Sequence, residues 1–365
     1  MSSLYDTLVI GAGQAGLAAG YHLQRAGLRF AILEAGAGPH GSWPHYYQSL
    51  TLFSPARYSS LPGRPFPGDP AHSPTRAEVV AYLAGYAAHF GLPIVPQTPI
   101  TQVARQDGGF VVTAADGRTY QARTVVAVSG AFSRPYLPAF PGQAQFRGQL
   151  LHAASYQAPT PFAGQRVVVV GAGNSAVQIA VELATVADVT LATRHPVRFR
   201  PQQPLGRDIH FWMHWLGFDS LPLGRWFDLP APTGVLDTGR YQAALAAGRP
   251  NHRPLFRALA EDGVEWADGT RERVDAVLCA TGYRPNLDYL AGLGALDATG
   301  QAQQHGGISR AVPGLYYVGL SGQRTFASAT LRGGGPDAAV VVAHLRRRLR
   351  APMLAHPVVH KLPAP

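Results

Sequence analysis

Two glycine-rich turns of the same pattern constrain this chain of 365 residues more than any other feature. Residues 11–16 read GAGQAG and residues 171–176 read GAGNSA, and each turn lies between an apolar, β-branched run and a stretch with helical periodicity. Strand, glycine turn and helix in this order begin a Rossmann βαβ unit, in which backbone N–H groups and the helix N-terminus hold a pyrophosphate. A lone turn of this kind also occurs where nothing binds, but the pair predicts an α/β chain with two dinucleotide-binding domains.

The residue that follows the second strand of each unit predicts which dinucleotide is bound. Glu34 stands there in the first unit, and its carboxylate suits ribose hydroxyls and repels a 2′-phosphate, which favours FAD or NAD. Arg194 has the matching position in the second unit, where a guanidinium favours the 2′-phosphate of NADP(H). Thr193 and His195 can add donors to that phosphate. The alternative for Arg194 is a solvated surface arginine without a ligand.

Charge and cysteine content exclude several other classes of protein. The formal net charge of +10 is spread along the chain without a nucleic-acid-binding motif, so it indicates attraction for phosphorylated cofactors and acidic substrates, and no nucleic-acid partner is expected. The single cysteine, Cys279, excludes disulfide frameworks, zinc sites built on paired cysteines and a redox-active cysteine pair. We find neither a signal peptide nor an apolar run long enough to cross a membrane, and therefore expect a cytoplasmic protein.

Periodicity and turn signals predict the remaining elements. Thr75 or Ser73 caps a helix that ends near Gly91, and another helix runs from Pro336 to about Arg350. Strands are predicted at residues 100–104, 109–114, 119–122, 125–128, 275–280 and 315–318. The strands at 125–128 and 275–280 both run into a Ser/Thr-Gly turn followed by a proline, which indicates that the two units repeat one plan.

Further motifs together resemble those of the flavin-containing monooxygenases. The spacing Phe146-x-Gly148-x-x-x-His152-x-x-x-Tyr156 precedes the second glycine turn, as it does in that family. Residues 41–43 (GSW), 49–63 and 280–283 (ATGY) are similar to other family signatures. The related Baeyer–Villiger enzymes close the first motif with Trp-Pro, whereas Tyr156-Gln157 here favours the flavin-containing branch. The resemblance covers nearly the whole chain and is weakest over residues 196–262.

The resemblance implies a three-layer flavoprotein fold of two Rossmann-like domains. The NADP(H)-binding domain (159–282) is expected to be inserted between two parts of the FAD-binding domain (1–158 and 283–365). In this family NADPH reduces FAD, and the reduced flavin reacts with O2 to form a C4a-hydroperoxide that oxygenates small sulfides, amines or ketones. The expected ligands are therefore FAD, NADP(H), O2 and a small substrate. The oligomeric state stays open, with a homodimer as one option.

Matching to the family motifs predicts the site residues. The FAD site is expected to comprise Gly11, Gly13, Gln14, Ala15, Gly16, Glu34, Ser42, Trp43, Val103, Ser129, Gly130, Gln323 and Thr325. The NADP(H) site is expected to comprise Gly171, Gly173, Asn174, Ser175, Ala176, Thr193, Arg194, His195, Thr281 and Gly282. Residues beside the reacting part of the flavin are expected to be Phe53, Ser54 and Gln323. The alternatives are an aromatic side chain that only packs a proline-rich loop for Trp43, and an ordinary loop for residues 319–330.

One position departs from the family pattern. Many members carry an asparagine beside the flavin in the stretch that matches residues 52–54, which here read Leu-Phe-Ser, with Phe53 nearest in position. An apolar side chain there is expected to shorten the life of the oxygenating flavin species and to raise H2O2 release. Two alternative functions follow: an NADPH oxidase or electron-transfer reductase with the same cofactors, and a non-catalytic sensor that binds FAD and NADP(H).

The segment least similar to the family holds two histidines and many aromatic residues. His210 and His214 would share one helix face, but a metal site needs further ligands that the sequence does not place, so no metal is expected. The aromatic residues of this segment are assigned to core, lid or dimer contacts: Phe211, Trp212, Trp215, Phe218, Trp226 and Phe227. We expect the segment to shape substrate access.

Overall fold

The computed structural model describes residues 4–130, 132–219, 221–222 and 234–350, so Trp226 and Phe227 lie outside the described residues. Its strands are β1 (Tyr5–Ile10), β2 (Phe30–Leu33), β3 (Ile94–Val95), β4 (Ile100–Gln106), β5 (Gly109–Ala114), β6 (Thr119–Ala127), β7 (Arg134–Pro135), β8 (Gln149–His152), β9 (Arg166–Val170), β10 (Asp188–Thr193), β11 (Phe199–Pro201), β12 (Val235–Asp237), β13 (Asn251–Pro254), β14 (Ala258–Ala260), β15 (Gly263–Glu265), β16 (Arg271–Arg273), β17 (Ala276–Cys279), β18 (Tyr283–Arg284), β19 (Gln304–His305), β20 (Ile308–Ser309) and β21 (Leu315–Tyr317). Its α-helices are α1 (Gln14–Arg25), α2 (Arg76–Phe90), α3 (Asn174–Leu183), α4 (Ile209–Trp215), α5 (Arg240–Ala246) and α6 (Leu331–Arg350).

The larger sheet takes its strands from both ends of the chain. Its order is β19-β20-β21-β6-β1-β2-β3, and the strands from β21 to β3 run parallel. The antiparallel pair β4 and β5 joins the sheet through β6. Helices α1, α2 and α6 cover one face, where Leu17, Leu83 and Val341 share one hydrophobic cluster. The first glycine turn therefore lies at the carboxyl end of a central strand.

The smaller sheet is parallel throughout, in the order β13-β10-β9-β17-β8. Helix α3 covers one face through Val177 and Ile179, and the antiparallel strands β14, β15 and β16 cover the other with Val264. The smaller sheet thus lies between two outer layers, and the predicted α/β fold with Rossmann-like units is confirmed. Strand β8, which precedes residue 158, pairs with β17 in this sheet. The domain bounds given above stay a prediction.

Most predicted elements agree with the structure, and two differ. Of the two predicted caps, Thr75 caps α2, and the helix ends at Gly91 as predicted. The structure adds that Thr75 forms a capping box with Glu78 and that Gly91 is left-handed. The predicted strands at 119–122 and 125–128 form one continuous strand, β6. Helix α6 begins at Leu331, before the predicted start at Pro336. A Cβ at Gly333 would lie 1.9 Å from the carbonyl oxygen of Ala327, so this glycine permits a close approach that favours the longer helix.

Candidate active site

The first glycine turn has the geometry that a pyrophosphate requires. Gly11 has a φ of +114°, and a Cβ at Gly16 would lie 2.0 Å from the carbonyl oxygen of Gly11, so neither position accepts a larger residue without a backbone shift. Helix α1 begins after Gly13, and no side chain caps it. The N–H groups of its first turn are therefore left for a ligand, with the positive end of the helix dipole behind them.

Glu34 lies beside this turn. Its buried carboxylate accepts hydrogen bonds from the backbone N–H of Ala12 at 2.5 Å and from that of Gly36 at 2.8 Å. The side chain thus joins the glycine turn to the end of β2, next to the predicted position of a ribose. Its assignment as the ribose-binding residue stays a prediction.

The Gln14 side chain links the first glycine turn to two other segments predicted to bind FAD, those that contain Trp43 and Ala329. The indole N–H of Trp43 donates to Gln14 Oε1 at 2.7 Å, and Gln14 Nε2 donates to the carbonyl oxygen of Ala329 at 3.2 Å. Gly41 packs so closely on Gly13 that an added Cβ would lie 2.9 Å from the Gly13 Cα. The Ser42 hydroxyl lies 3.1 Å from that of Tyr46, and its contact with FAD stays a prediction.

In the loop at residues 319–330, the side chains predicted to contact the flavin form hydrogen bonds with the loop and the strand before it. Gln323 is 1% exposed, donates from Nε2 to the carbonyl oxygen of Tyr317 at 3.0 Å, and accepts from the Leu320 N–H at 3.3 Å. Thr325 is equally buried, and its hydroxyl accepts from the N–H of Ala327. Their side chains therefore stabilise the loop, and contacts from them to the flavin stay a prediction.

A buried ion pair ties the same loop to α6. Arg324 Nε donates to Asp337 Oδ1 at 2.9 Å, and the Ser328 hydroxyl donates to Asp337 Oδ2 at 2.5 Å. Burial raises the pKa of Asp337, and the hydrogen bonds from Ser328 and Arg324 only partly oppose that shift. The carboxylate is fully enclosed, so its charge depends on these two partners.

The two connections between the sheets pair with each other. Strands β7 and β18 form a short antiparallel pair, and the Thr281 hydroxyl donates to the carbonyl oxygen of Tyr136 at 2.5 Å. His152 Nε2 lies 3.0 Å from the Gly282 carbonyl oxygen, and burial lowers the pKa of this histidine. Ser129 donates to the carbonyl oxygen of Asn286, beside the left-handed Gly130. Val103 is buried on β4 in the hydrophobic cluster that also holds Ile10 and Leu33, and its contact with FAD stays a prediction.

The second glycine turn is tightly packed at Gly171, where a Cβ would lie 2.5 Å from the carbonyl oxygen of Ala280, but it is open at Gly173. Gly171 has a φ of +139°, no side chain caps α3, and a Cβ at Gly173 would meet no heavy atom within 4 Å. The side chain of Asn174 accepts from the N–H of Leu236 at 3.1 Å and so holds the start of β12. Ser175 is exposed beside it, and Ala176 is buried against the sheet.

The predicted phosphate-binding side chains divide between the interior and the surface. Arg194 and His195 are exposed just after β10. Thr193 is buried, with its hydroxyl 2.9 Å from His252 Nε2. Arg194 and His195 therefore remain available to a phosphate at the carboxyl edge of the smaller sheet.

A cavity of about 440 Å³ lies where the two units meet. Its lining comes from loop 51–73, from α3, from residues 202–211 and from residues 236–241. Phe53 is 42% exposed and lines it, whereas Ser54 is buried and bonded to Ser59 at 2.9 Å. The lining also contains three arginines, Arg57, Arg207 and Arg240. The sequence did not predict them as site residues, because no local pattern indicates that these distant segments meet.

Beside Phe53 lies a hydrogen-bonded dyad. The His210 ring is 2% exposed and stacks on Phe53 with centroids 6.1 Å apart, and its Nδ1 lies 2.7 Å from Asp208 Oδ1. Burial opposes ionisation of Asp208, but hydrogen bonds from His210 and Gln202 outweigh it and lower the pKa of that carboxyl. Nδ1 of His210 therefore carries a proton that it donates to an ionised carboxylate. Among the described residues, no group of three or more His, Cys, Asp or Glu side chains could hold a metal ion.

Comparison with known proteins identifies the family. The family model of the pyridine nucleotide-disulphide oxidoreductases matches residues 8–213. A flavin-containing monooxygenase from Stenotrophomonas maltophilia is 36% identical and superposes with a TM-score of 0.84, over 95% of this chain and 99% of that one. An indole-3-pyruvate monooxygenase, YUCCA4, from Oryza sativa subsp. japonica is 30% identical over 94% of this chain and 87% of its own length. The chain belongs to the pyridine nucleotide-disulphide oxidoreductases, within the flavin-containing monooxygenases.

Family membership confirms the cofactors and the general activity. The protein is an NAD(P)H-dependent flavoprotein oxidoreductase with FAD and NADP(H) as cofactors, and in general terms an FAD-dependent monooxygenase. A relative from Geobacillus kaustophilus described as an uncharacterized oxidoreductase, CzcO-like, is 34% identical over 94% of this chain and 98% of its own length. These relationships favour an enzyme over a non-catalytic sensor. Within the described residues, no helix combines the length and apolar character needed to cross a bilayer.

The two glycine turns fit these cofactors. Both offer an uncapped helix N-terminus behind glycines, whereas α2 and α4 are capped by Thr75 and Asp208. The disulphide chemistry in the family's name does not extend to this chain, which has one cysteine. That cysteine, Cys279, lies buried in β17, and burial raises the pKa of its thiol to about 12. The thiol is therefore protonated and unreactive at neutral pH.

Proposed function

We propose that this protein uses NADPH to transfer one oxygen atom of O2 to a small sulfide, amine or ketone. The cavity beside Phe53 carries the proposal, because its volume suits a small molecule and it lies between the two nucleotide-binding units. For a sulfide, the reactants are sulfide, O2, NADPH and one proton, and the products are sulfoxide, water and NADP+. FAD, when bound, supplies the redox chemistry by accepting a hydride from NADPH and activating O2.

The residues of the chain contribute binding, orientation and exclusion of water. Leu52, Phe53 and Phe211 form an apolar part of the cavity wall, which disfavours water beside the reacting atoms. Gln202 Nε2 donates to the carbonyl oxygen of Phe53 at 2.7 Å and to Asp208 Oδ2 at 2.7 Å, so it links the Phe53 loop to the dyad. This contact holds Phe53 in position across the two units.

A rapid-mixing experiment tests the proposal against the second candidate, an NADPH oxidase. The oxidase has a specific observation in its favour, since residue 53 is an apolar phenylalanine. NADPH-reduced protein is mixed with oxygenated buffer while absorbance is followed. A transient spectrum distinct from oxidised and reduced FAD, which decays faster when a sulfide or ketone is added, supports oxygen transfer. Direct return to oxidised FAD with one H2O2 for each NADPH consumed supports the oxidase.

The variant Phe53→Asn is expected to raise the share of NADPH that yields oxygenated product. An amide at this cavity-lining position adds one hydrogen bond near the reacting atoms, worth about 1 kcal/mol. A stabilisation of that size slows the loss of the oxygenating species as H2O2 about fivefold. H2O2 and product are measured together for each NADPH consumed. Phe53→Leu removes the ring without adding an amide and serves as the control. Equal H2O2 yields in Phe53→Asn and Phe53→Leu would contradict the prediction.

The variant Arg194→Ala is expected to raise the KM for NADPH about tenfold or more and the KM for NADH less than about twofold. A guanidinium–phosphate contact contributes a charge-assisted hydrogen bond of about 1.5–3 kcal/mol, and only NADPH has the 2′-phosphate. Steady-state kinetics with each nucleotide provide the measurement. Arg271→Ala is the control, because the Arg271 side chain is 76% exposed on β16. Equal effects on both nucleotides would remove Arg194 from the phosphate site.

A further inference from the structure

The cavity between the two units has an excess of positive charge. Three arginines line it, Arg57 from the larger unit and Arg207 and Arg240 from the smaller, and the one carboxylate in the described lining is Asp208. Asp208 already accepts hydrogen bonds from Gln202 and from His210. Its negative charge is therefore directed toward Gln202 and His210, so the three arginines have no matching carboxylate in the described lining.

The three guanidinium groups retain donors for a ligand. Within the described part of the chain, none of the three forms an ion pair with a carboxylate. Arg57 donates from Nε to the carbonyl oxygen of Pro70 at 3.0 Å, so its terminal nitrogens stay available. Arg207 lies over the ring of Phe211 at 4.5 Å, and Arg240 lies 5.7 Å from the ring centroid of Tyr241. Such stacking orients a guanidinium and leaves the N–H groups at its edge free.

The rest of the lining is partly apolar and partly polar, with Gln178, Gln203 and Thr238 among its polar residues. Leu52, Phe53, Tyr58, Phe211 and Leu236 line the same cavity as the arginines. Arg194, the predicted ligand of the NADP(H) phosphate, is not among its lining residues. The cavity therefore combines an apolar wall with a cationic group that is separate from the predicted phosphate site.

We propose that the natural substrate is an amphipathic anion, whose carboxylate binds Arg57, Arg207 and Arg240 while its oxidisable apolar part faces Phe53. Arginine binds carboxylates through paired N–H donors, and a cavity lined by one sign of charge concentrates ligands of the opposite sign. This inference rests on the proposed function and narrows its substrate class from small sulfides, amines or ketones to those that carry an acid group.

A pair of sulfides that differ only in charge tests the proposal on the holoenzyme. The acid is 4-(methylthio)benzoate, and its neutral partner is the methyl ester of the same molecule. We expect wild-type kcat/KM to be about tenfold or more higher for the acid, and the double variant Arg207→Gln/Arg240→Gln to remove that preference. The KM values for the ester and for NADPH should stay unchanged. Arg271→Gln is the matched control, and a thermal melt verifies that each variant is folded.

Three outcomes overturn the proposal. The wild type could have equal kcat/KM values for the acid and the ester, or the double variant could lose kcat/KM equally for both. In the third outcome the double variant has a higher KM for NADPH but an unchanged kcat/KM for the acid. The last result would assign the arginines to a phosphate of the cofactor. A binding measurement separates this proposal from the proposed function. If calorimetry shows that the acid binds the wild-type holoenzyme about tenfold more tightly than the double variant, yet no sulfoxide forms, the anion site stands and the oxygen-transfer proposal fails.

Discussion

Replacement of Gly16 by alanine is expected to yield a protein that purifies with little or no FAD. The added Cβ would lie 2.0 Å from the carbonyl oxygen of Gly11 and 3.2 Å from a methyl group of Val128, so α1 and the turn must move apart. That shift displaces the backbone N–H groups from the pyrophosphate and costs about 1–3 kcal/mol in packing. The ratio of flavin to protein absorbance after purification measures the loss, and thermal unfolding measures the destabilisation.

Gly292→Ala is the matched control for this substitution. A Cβ at Gly292 meets no heavy atom within 4 Å, and its backbone is outside the left-handed region. The control should retain FAD and unfold like the wild type. A full complement of FAD in Gly16→Ala, at the wild-type melting temperature, would show that the close approach at the turn is not required for binding.

Replacement of Asp337 by alanine is expected to lower the free energy of unfolding by about 3–5 kcal/mol. The carboxylate is completely buried, and its loss leaves the Arg324 guanidinium, 13% exposed, without its partner and the Ser328 hydroxyl without its acceptor. Because these groups hold loop 319–330 to α6, weaker FAD binding should accompany the lower stability. Urea denaturation of the holoenzyme and of the FAD-free protein separates the two effects.

Asp288→Ala provides the comparison. Asp288 pairs with Arg134 at 2.6 Å, but both side chains are more than half exposed, so its removal should cost about 0–1 kcal/mol. Similar losses in the two variants would mean that the buried position of Asp337 adds nothing to the stability of the loop.

The sequence predicted correctly those features that depend on neighbours along the chain. The glycine turns, the helices that follow them and the helix cap near Thr75 each depend on residues within one βα unit or one helical turn, so spacing and residue type suffice. Family motifs added the FAD and NADP(H) cofactors, which the comparisons confirm. The individual ligand assignments, such as Glu34 and Arg194, stay predictions.

Other features depend on contacts between distant segments. The family motifs predict that the Gln323 side chain contacts the edge of the flavin. In the structure this side chain is buried and forms hydrogen bonds with Leu320 and Tyr317. The start of α6 at Leu331 depends on the close approach of Gly333 to Ala327, which local preferences around Pro336 do not reveal.

The sequence by itself therefore determined the two nucleotide-binding units, because each phosphate turn is built from consecutive residues whose backbone conformations their types specify. Only the tertiary structure decided what lies between those units. Arg57, Arg207 and Arg240 are far apart along the chain and carry no shared motif, and they surround one cavity because the two sheets pack with loop 51–73 facing α3 and α5. Long-range packing of this kind depends on the burial of many side chains at once, which no local pattern in the sequence records.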